Sequence, residues 1–426
     1  MKKKTLWIMG LLIVFIALSF ALLGGSSQGV RYLFQDKQFH YQAFRTLGHA
    51  LYGGALPGEV MALVSRIHDD ESWKREWTAM AEQCEIMAST ADDQVSKGNA
   101  LLRASNYYRA AEFFIEPAGE GLAARRELYH KSVRAFREAL IYLKIPHRIY
   151  QVKDANSAMT VYYFPGKPGK PAVFIHGGYD STNEESYFFV GAPLVERGYP
   201  VIMFDGPGQS GMIRNYNIKF TPHWHEPLGR VMDFIISEEP DLIGKKKVLV
   251  GISMGGILAG RAAAYEKRID GAILFGSPYD MEDAALFQMP SVGRWLYSNG
   301  YRESLNTVVG MKSKWDRGVR WGVNNGLWTI GGKNPYEMVQ KMGAYTLEDV
   351  QDKVWCHVLC MYGENDIYVS DANQMKLFKD SFRNAASYTF KVFSEKDGSA
   401  EHCQIGSTEQ TAKAIVSWLK KCGLDD

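Results

Sequence analysis

A serine in a glycine-flanked turn is the residue of this sequence best placed to do chemistry. Ser253 lies in Gly251-Ile252-Ser253-Met254-Gly255, between an apolar run at 247–250 and an alanine-rich run at 257–267. The first run predicts a buried strand and the second a helix. A turn between them lifts the Ser253 hydroxyl to the end of the strand, beside the helix N-terminus. This context predicts a nucleophile for acyl transfer, and a tight packing turn is the alternative.

The same spacing occurs a second time, around Ser27 at residues 25–29. With 41 glycines in the chain, the spacing alone is a weak signal. The second match follows an apolar segment and no sheet strand, so it is interpreted as a flexible linker. Structural context therefore favours Ser253 over Ser27.

A serine nucleophile needs a base, and the base needs an acidic side chain that orients it. His402 is the only histidine after Asp366, and it lies between a predicted strand at 388–393 and a predicted helix at 408–420. Asp366 follows a strand predicted at 354–362, which ends at the same sheet edge as Ser253. The sequence thus predicts the catalytic set Ser253, Asp366 and His402. Glu364 is the alternative acid, and a surface position is the alternative for His402.

Backbone N–H groups near Ser253 are predicted to stabilise a developing oxyanion. Met254 opens the helix after the nucleophile, so its N–H has no intrahelical partner. The second donor should come from Gly178 or Tyr179, which follow the strand predicted at 172–175.

Asp180 follows these donors directly and should lie near the reacting carbonyl. In a dry aromatic pocket its carboxyl would stay protonated and could act as an acid or bind substrate. Alternatively, Asp180 caps the turn through Ser181 and Thr182.

Two alternating histidines, His223 and His225, suggest a metal site at first sight. No third ligand is evident, and Thr221-Pro222 marks a helix start, so they are predicted to be first-turn residues. We predict no metal and no cofactor.

Strands alternate with helices after residue 147, which predicts a mostly parallel sheet with helices on both faces. Residues 277–348 interrupt this alternation and contain four tryptophans, at 295, 315, 321 and 328. They follow the strand predicted at 271–275 and are predicted to form a helical lid at the catalytic edge. The predicted hydrolytic domain thus spans 147–426, with the lid inserted at about 277–348.

The region 28–146 is predicted to be a helical domain, because apolar residues recur every three or four positions. Trp73, Trp77 and Cys84 belong to one such stripe. Its aromatic face is interpreted as core, with a binding surface as the alternative.

The first 27 residues contain an uncharged run of eighteen, from Leu6 to Leu23, preceded by three lysines. That length suits an uncleaved membrane anchor, with the catalytic domain on the extracytoplasmic side. A cleaved signal peptide, giving a secreted or periplasmic protein, and a buried helix are the alternatives.

Composition excludes some functions. The formal net charge is +2, so nothing indicates a nucleic-acid partner. The five cysteines are scattered, and Cys356 and Cys360 would lie about 13 Å apart on one strand, too far for a disulfide.

Six motifs together resemble the α/β-hydrolase superfamily, in particular the branch with 2,6-dihydroxypseudooxynicotine hydrolase and the fungal polyketide chain-shortening hydrolases. They are LLRASNYYRAAEFF (101–114), GGYDSTNEES (177–186), FDGPGQS (204–210), GISMGG (251–256), GEND (363–366) and KDGSAEHC (396–403). The resemblance implies the α/β-hydrolase fold, a triad of Ser253, Asp366 and His402, and an N-terminal helical cap over the site. Dimers are common in this branch, so a homodimer is one possible assembly. Two departures are the hydrophobic N-terminus and Asp180, where the pseudooxynicotine enzyme has glutamate.

These observations predict a serine hydrolase for a small, partly apolar molecule. The bond is an ester or a carbon–carbon bond in a β-diketone-like compound. A prolyl-oligopeptidase-like exopeptidase would use the same triad, but propeller repeats are missing. A non-catalytic membrane-tethered scaffold is the remaining alternative.

Overall fold

The computed structural model describes residues 33–369 and 372–425. Before the first strand the chain is helical, as predicted, and none of the described residues there forms a propeller blade. The helices are α1 (Lys37–Gly48), α2 (Pro57–Val64), α3 (Asp70–Thr90), α4 (Gln94–Glu112) and α5 (Gly119–Tyr142).

Aspartate side chains cap the N-termini of three of these helices, α1, α3 and α4. Asp36 accepts hydrogen bonds from two N–H groups of the first turn of α1, and Asp69 forms a capping box with Ser72 on α3. Helix α4 packs against both α3 and α5. Trp73 and Trp77 are 0% and 1% exposed, so the aromatic stripe belongs to the core, as interpreted from the sequence.

One eight-stranded sheet follows, with the order β1-β2-β4-β3-β5-β6-β7-β8. The pairs β1–β2 and β2–β4 are antiparallel, and the other five pairs are parallel. The five strands predicted at 172–175, 247–250, 271–275, 354–362 and 388–393 are confirmed. The strands of the sheet are β1 (Arg148–Asp154), β2 (Ser157–Phe164), β3 (Ala172–His176), β4 (Val201–Phe204), β5 (Lys247–Ile252), β6 (Gly271–Phe275), β7 (His357–Gly363) and β8 (Ser387–Phe393).

Helices cover both faces of the sheet, as the alternation of strands and helices predicted. Val173 and Ile175 of β3 pack on one face, in a core shared with the N-terminal helices. Phe174 packs on the other face with Leu258. These helices are α6 (Asn183–Ser186), α7 (Ala192–Glu196), α8 (Ser210–Tyr216), α9 (His225–Glu238), α10 (Met254–Tyr265), α16 (Ala372–Lys379) and α17 (Thr408–Lys421).

The predicted insertion after β6 is helical and contains no strand. A bridge between Asp280 and Thr346 joins its two ends, and Leu305 and Tyr336 lie in a small core of its own. Its helices are α11 (Met281–Phe287), α12 (Ser291–Ser298), α13 (Arg302–Lys312), α14 (Arg317–Thr329) and α15 (Pro335–Met342).

The predicted localisation as a single-pass membrane protein is corrected. In the part of the chain that the structure describes, no helix is both long enough and apolar enough to cross a bilayer. The predicted localisation through a single-pass membrane anchor is therefore wrong. The run from Leu6 to Leu23, on which the anchor and its signal-peptide alternative depended, lies outside the described residues.

Candidate active site

Ser253 occupies a sharp turn between β5 and α10. Its backbone angles are φ 59° and ψ −129°, a region that residues with a side chain rarely adopt. Glycines on both sides make the turn possible. A Cβ on Gly251 would lie 1.9 Å from the Gly255 carbonyl oxygen, and a Cβ on Gly255 would lie 2.4 Å from the Gly177 oxygen. The strained turn presents the Ser253 hydroxyl at the carboxyl end of the parallel strands.

His402 connects the serine to an acidic side chain. Its Nε2 lies 2.9 Å from Ser253 Oγ, and its Nδ1 lies 2.6 Å from Asp366 Oδ2. The structure therefore brings together the three residues that the sequence singled out. In this arrangement the imidazole can accept the serine proton while the carboxylate holds the ring in place.

Asp366, and not Glu364, reaches the histidine. Asp366 is fully buried, and its Oδ1 accepts the N–H groups of Tyr368 and Val369 at 2.9 and 3.0 Å. Glu364 is exposed and accepts the N–H of Glu395 instead. Two backbone donors therefore fix the orientation of the Asp366 carboxylate.

The Asp366 carboxylate also sets the charge state of His402. Burial alone would lower the pKa of the imidazole, but the charge of Asp366 and the hydrogen bond to it raise that pKa well above the usual 6.5. An imidazolium formed during proton transfer is therefore stabilised.

The loop after β3 lies directly against the nucleophile turn. A Cβ on Gly178 would lie 2.5 Å from the Ile252 oxygen, so only glycine fits there. The Gly178 N–H donates to Ser181 Oγ at 3.0 Å. For the Tyr179 N–H, the described hydrogen bonds include no acceptor. Gln209 supports the loop by donating to the Gly177 oxygen.

The N-terminal helices reach the histidine, which the sequence gave no local signal to expect. Tyr41 of α1 donates from its hydroxyl to the His402 carbonyl oxygen at 3.3 Å. Its ring meets Tyr368 edge to face at 5.4 Å, and Tyr368 in turn packs on the His402 ring at 5.0 Å. The helical region thus forms part of the wall around the candidate site.

Asp180 is in a different environment from the dry aromatic pocket expected for it. Its Oδ2 lies 2.6 Å from Nη1 of Arg45, a buried residue of α1. Arg45 also contacts Glu185 at 2.5 Å, and His49 lies 3.1 Å from the same carboxylate. This contact holds the Asp180 side chain against helix α1. Sequence reasoning missed Arg45 because no motif surrounds it.

The alternative role of Asp180 as a turn cap is not observed among the described contacts. Thr182 accepts the N–H of Glu185 and so caps α6 itself. The paired histidines are also apart from the site: His225 begins α9 and packs on Tyr265. Among residues 33–369 and 372–425, no three His, Cys, Asp or Glu side chains are grouped so that they could hold a metal ion.

The sequence is similar to those of known proteins. The model of the "Alpha/beta hydrolase family" matches residues 172–368. "Hydrolase acrC" from Aspergillus aculeatus is 31% identical over 417 residues, covering 89% of this chain and 95% of that protein. "20-hydroxy-prefusarin hydrolase FUS2" from Gibberella moniliformis is 30% identical over 369 residues, covering 82% and 87%.

A solved structure of 2,6-dihydroxy-pseudo-oxynicotine hydrolase has a similar fold. Its TM-score is 0.65 at 20% identity, and the match covers 88% of this chain and 94% of that one. AbyA5 gives a TM-score of 0.64 at 15% identity, covering 92% and 96%. With this fold, and with relatives at 30% identity or above matched over most of their length, the chain belongs to the alpha/beta hydrolase family and is a hydrolase.

Proposed function

We propose that the protein is a serine hydrolase in which Ser253, His402 and Asp366 form the catalytic triad. The observation that carries this proposal is the hydrogen-bonded chain from Asp366 through His402 to the strained Ser253, with contacts of 2.6 and 2.9 Å. The members come from three separate loops of one sheet edge, and packing alone does not require that alignment.

The reaction follows from these roles. Ser253 Oγ attacks the substrate carbonyl while His402 Nε2 takes its proton. The N–H groups of Met254 and Tyr179 stabilise the oxyanion. His402 then protonates the leaving group as the bond breaks, which releases an alcohol from an ester or a ketone from a β-diketone-like compound. Water, deprotonated by His402, releases the acyl group and restores Ser253.

The substrate is a small, partly apolar molecule. Aromatic residues adjoin the loop of the oxyanion donors: Trp321 packs edge to face on Tyr179 at 5.9 Å and stacks on Phe113 at 4.7 Å. The names of the relative FUS2 and of the pseudo-oxynicotine hydrolase both specify small molecules as substrates, which supports the same substrate class here.

Labelling with a fluorophosphonate tests the nucleophile directly. We expect the wild type and a Ser27→Ala control to be labelled, and Ser253→Ala to be unlabelled and slower by several orders of magnitude. A panel of acyl esters, β-diketones and aminoacyl amides then identifies the bond. Near-normal turnover by folded Ser253→Ala would overturn the mechanism.

A further inference from the structure

A cavity of about 140 Å³ lies between the N-terminal helices and the insertion. Ile115 and Arg125 line it from the N-terminal side, and Trp321 and Asn325 line it from helix α14. Ser253, Asp366 and His402 are not among its lining residues.

Three buried polar atoms in this lining have no hydrogen-bond partner among the described residues. They are Arg125 Nε, Trp321 Nε1 and Asn325 Oδ1. Arg125 is 3% exposed and Asn325 is 1% exposed. Buried polar groups in folded proteins are almost always satisfied, so a group that occupies this cavity has three polar atoms to pair with.

Arg125 is the charged member of this group. Its Nη1 donates to the Ile115 carbonyl oxygen at 3.2 Å, and its guanidinium lies 4.5 Å from the Trp328 ring centroid. Within the described part of the chain it forms no salt bridge, whereas Arg320, which lines the same cavity, pairs with Asp70 at 2.7 Å. Burial lowers the pKa of Arg125 to about 10, so the guanidinium remains charged at neutral pH.

The cavity shares its wall with the loop of the proposed oxyanion donors. Asn325 Nδ2 donates to the Tyr179 carbonyl oxygen at 3.1 Å, and the Tyr179 hydroxyl donates to the Gly322 oxygen at 2.9 Å. Asn325 thus contacts Tyr179 with its amide nitrogen, while its oxygen is free to face a ligand.

We propose that Arg125, Trp321 and Asn325 form a subsite for an acidic group of the substrate, remote from the bond that Ser253 attacks. The N–H groups of Arg125 and Trp321 donate to a carboxylate or an enolate oxygen. Asn325 Oδ1 accepts from a hydroxyl or N–H of the same substrate. The proposal rests on the proposed function and specifies an anionic, hydroxyl- or amide-bearing acyl compound as its substrate class.

Matched substrates test the subsite. We would compare 4-nitrophenyl monoesters of straight-chain dicarboxylic acids, over a range of chain lengths, with the same compounds carrying a methyl ester in place of the free acid. We expect the wild type to prefer the acid at one or more lengths. Arg125→Met should reduce that preference at least tenfold, because kcat/KM falls much more for the acids than for the neutral esters. Arg125→Lys keeps the positive charge and should therefore retain part of the preference for the acid.

Arg134→Met provides a control, because Arg134 lies on the same helix but is exposed and pairs with Glu85. It should leave the preference unchanged. Equal losses on acid and neutral esters in Arg125→Met, with a lowered Tm, would mean that Arg125 only stacks on Trp328 and would overturn the subsite. The subsite would also be overturned if the wild type did not prefer the free acid over the methyl ester at any chain length.

Fluorophosphonate labelling separates the two proposals. If wild type and Arg125→Met are labelled alike but the preference for acids does not change, the subsite alone is wrong. If the wild type is not labelled, the proposed function fails and the subsite fails with it.

Discussion

Arg45 Nη1 of helix α1 lies 2.6 Å from Asp180 Oδ2, in the loop that follows strand β3. This salt bridge joins the N-terminal helices to the loop that carries the proposed oxyanion donor Tyr179. Since Tyr41 of the same helix contacts His402, one helix touches both sides of the candidate site. The N-terminal region therefore contributes to the geometry of the site as well as covering it.

The two partners of this salt bridge should differ in their effect on stability. Arg45→Met removes the nearest guanidinium from buried Glu185, which keeps Arg109 at 3.4 Å, so it should cost about 1–3 kcal/mol of unfolding free energy. Asp180→Asn leaves the contact between Arg45 and Glu185 intact, so it should cost less than about 1 kcal/mol. Urea denaturation of both variants measures the difference. Equal losses would contradict the assigned importance of Glu185.

The acidic member of the triad can be tested against its neighbour in the sequence. Asp366→Asn should lower kcat by about 10⁴-fold, because the amide no longer holds His402 in the tautomer that accepts the serine proton. Glu364→Gln is the matched control, since Glu364 is exposed and contacts only a loop N–H in the described hydrogen bonds. A large loss of kcat in Glu364→Gln, with little loss in Asp366→Asn, would mean that Glu364 is the acid that orients His402.

The raised pKa of His402 predicts a specific pH dependence. His402 must be neutral to accept the serine proton, so kcat/KM for an uncharged ester should fall as the pH falls through its pKa. Since that pKa lies well above 6.5, the half-maximal rate should lie above pH 6.5 as well. A midpoint below pH 6.5 would argue against the His402–Asp366 pairing in solution.

The raised pKa of His402 should also affect the stability of the fold, which should decrease as the pH rises while the catalytic rate increases. A group whose pKa is higher in the folded protein contributes stability that is fully present below its unfolded pKa, here about 6.5. This contribution is lost as the pH rises through the folded pKa. His402→Gln should remove it, which thermal unfolding across this range would measure.

Local patterns in the sequence were sufficient to predict the sheet and the nucleophile turn. The central strands β3, β4, β5 and β6 are mostly apolar runs, and Gly251 and Gly255 allow the tight packing around Ser253. The choice of Asp366 over Glu364 also proved to match the geometry, because depth in the loop decides which carboxylate faces the sheet edge.

Contacts between distant segments could not be predicted in this way. Arg45 and Asp180 are 135 positions apart, and nothing around Arg45 distinguishes it from any other basic residue on an amphipathic helix. The environment of Asp180 was therefore inferred from its own loop alone, which is why a dry pocket was expected. Tyr41 was missed for the same reason.

The salt bridge also changes what Asp180 is expected to do in catalysis. We propose that Asp180, held by Arg45, positions the loop of Tyr179. Asp180→Asn should therefore lower kcat for an ester and for a β-diketone by the same factor, about 10- to 100-fold, because a misplaced oxyanion donor affects both reactions.

Rescue distinguishes this positioning role from proton transfer. Asp180→Glu keeps the charge and should restore part of the rate on both substrates if the salt bridge to Arg45 is what matters. Combining Asp180→Asn with Arg45→Met should cost less than the sum of the single losses in log kcat, because the two residues act through one contact. A loss confined to the β-diketone, with ester hydrolysis intact, would instead support the proton donor that the sequence suggested. No loss on either substrate would remove Asp180 from the site.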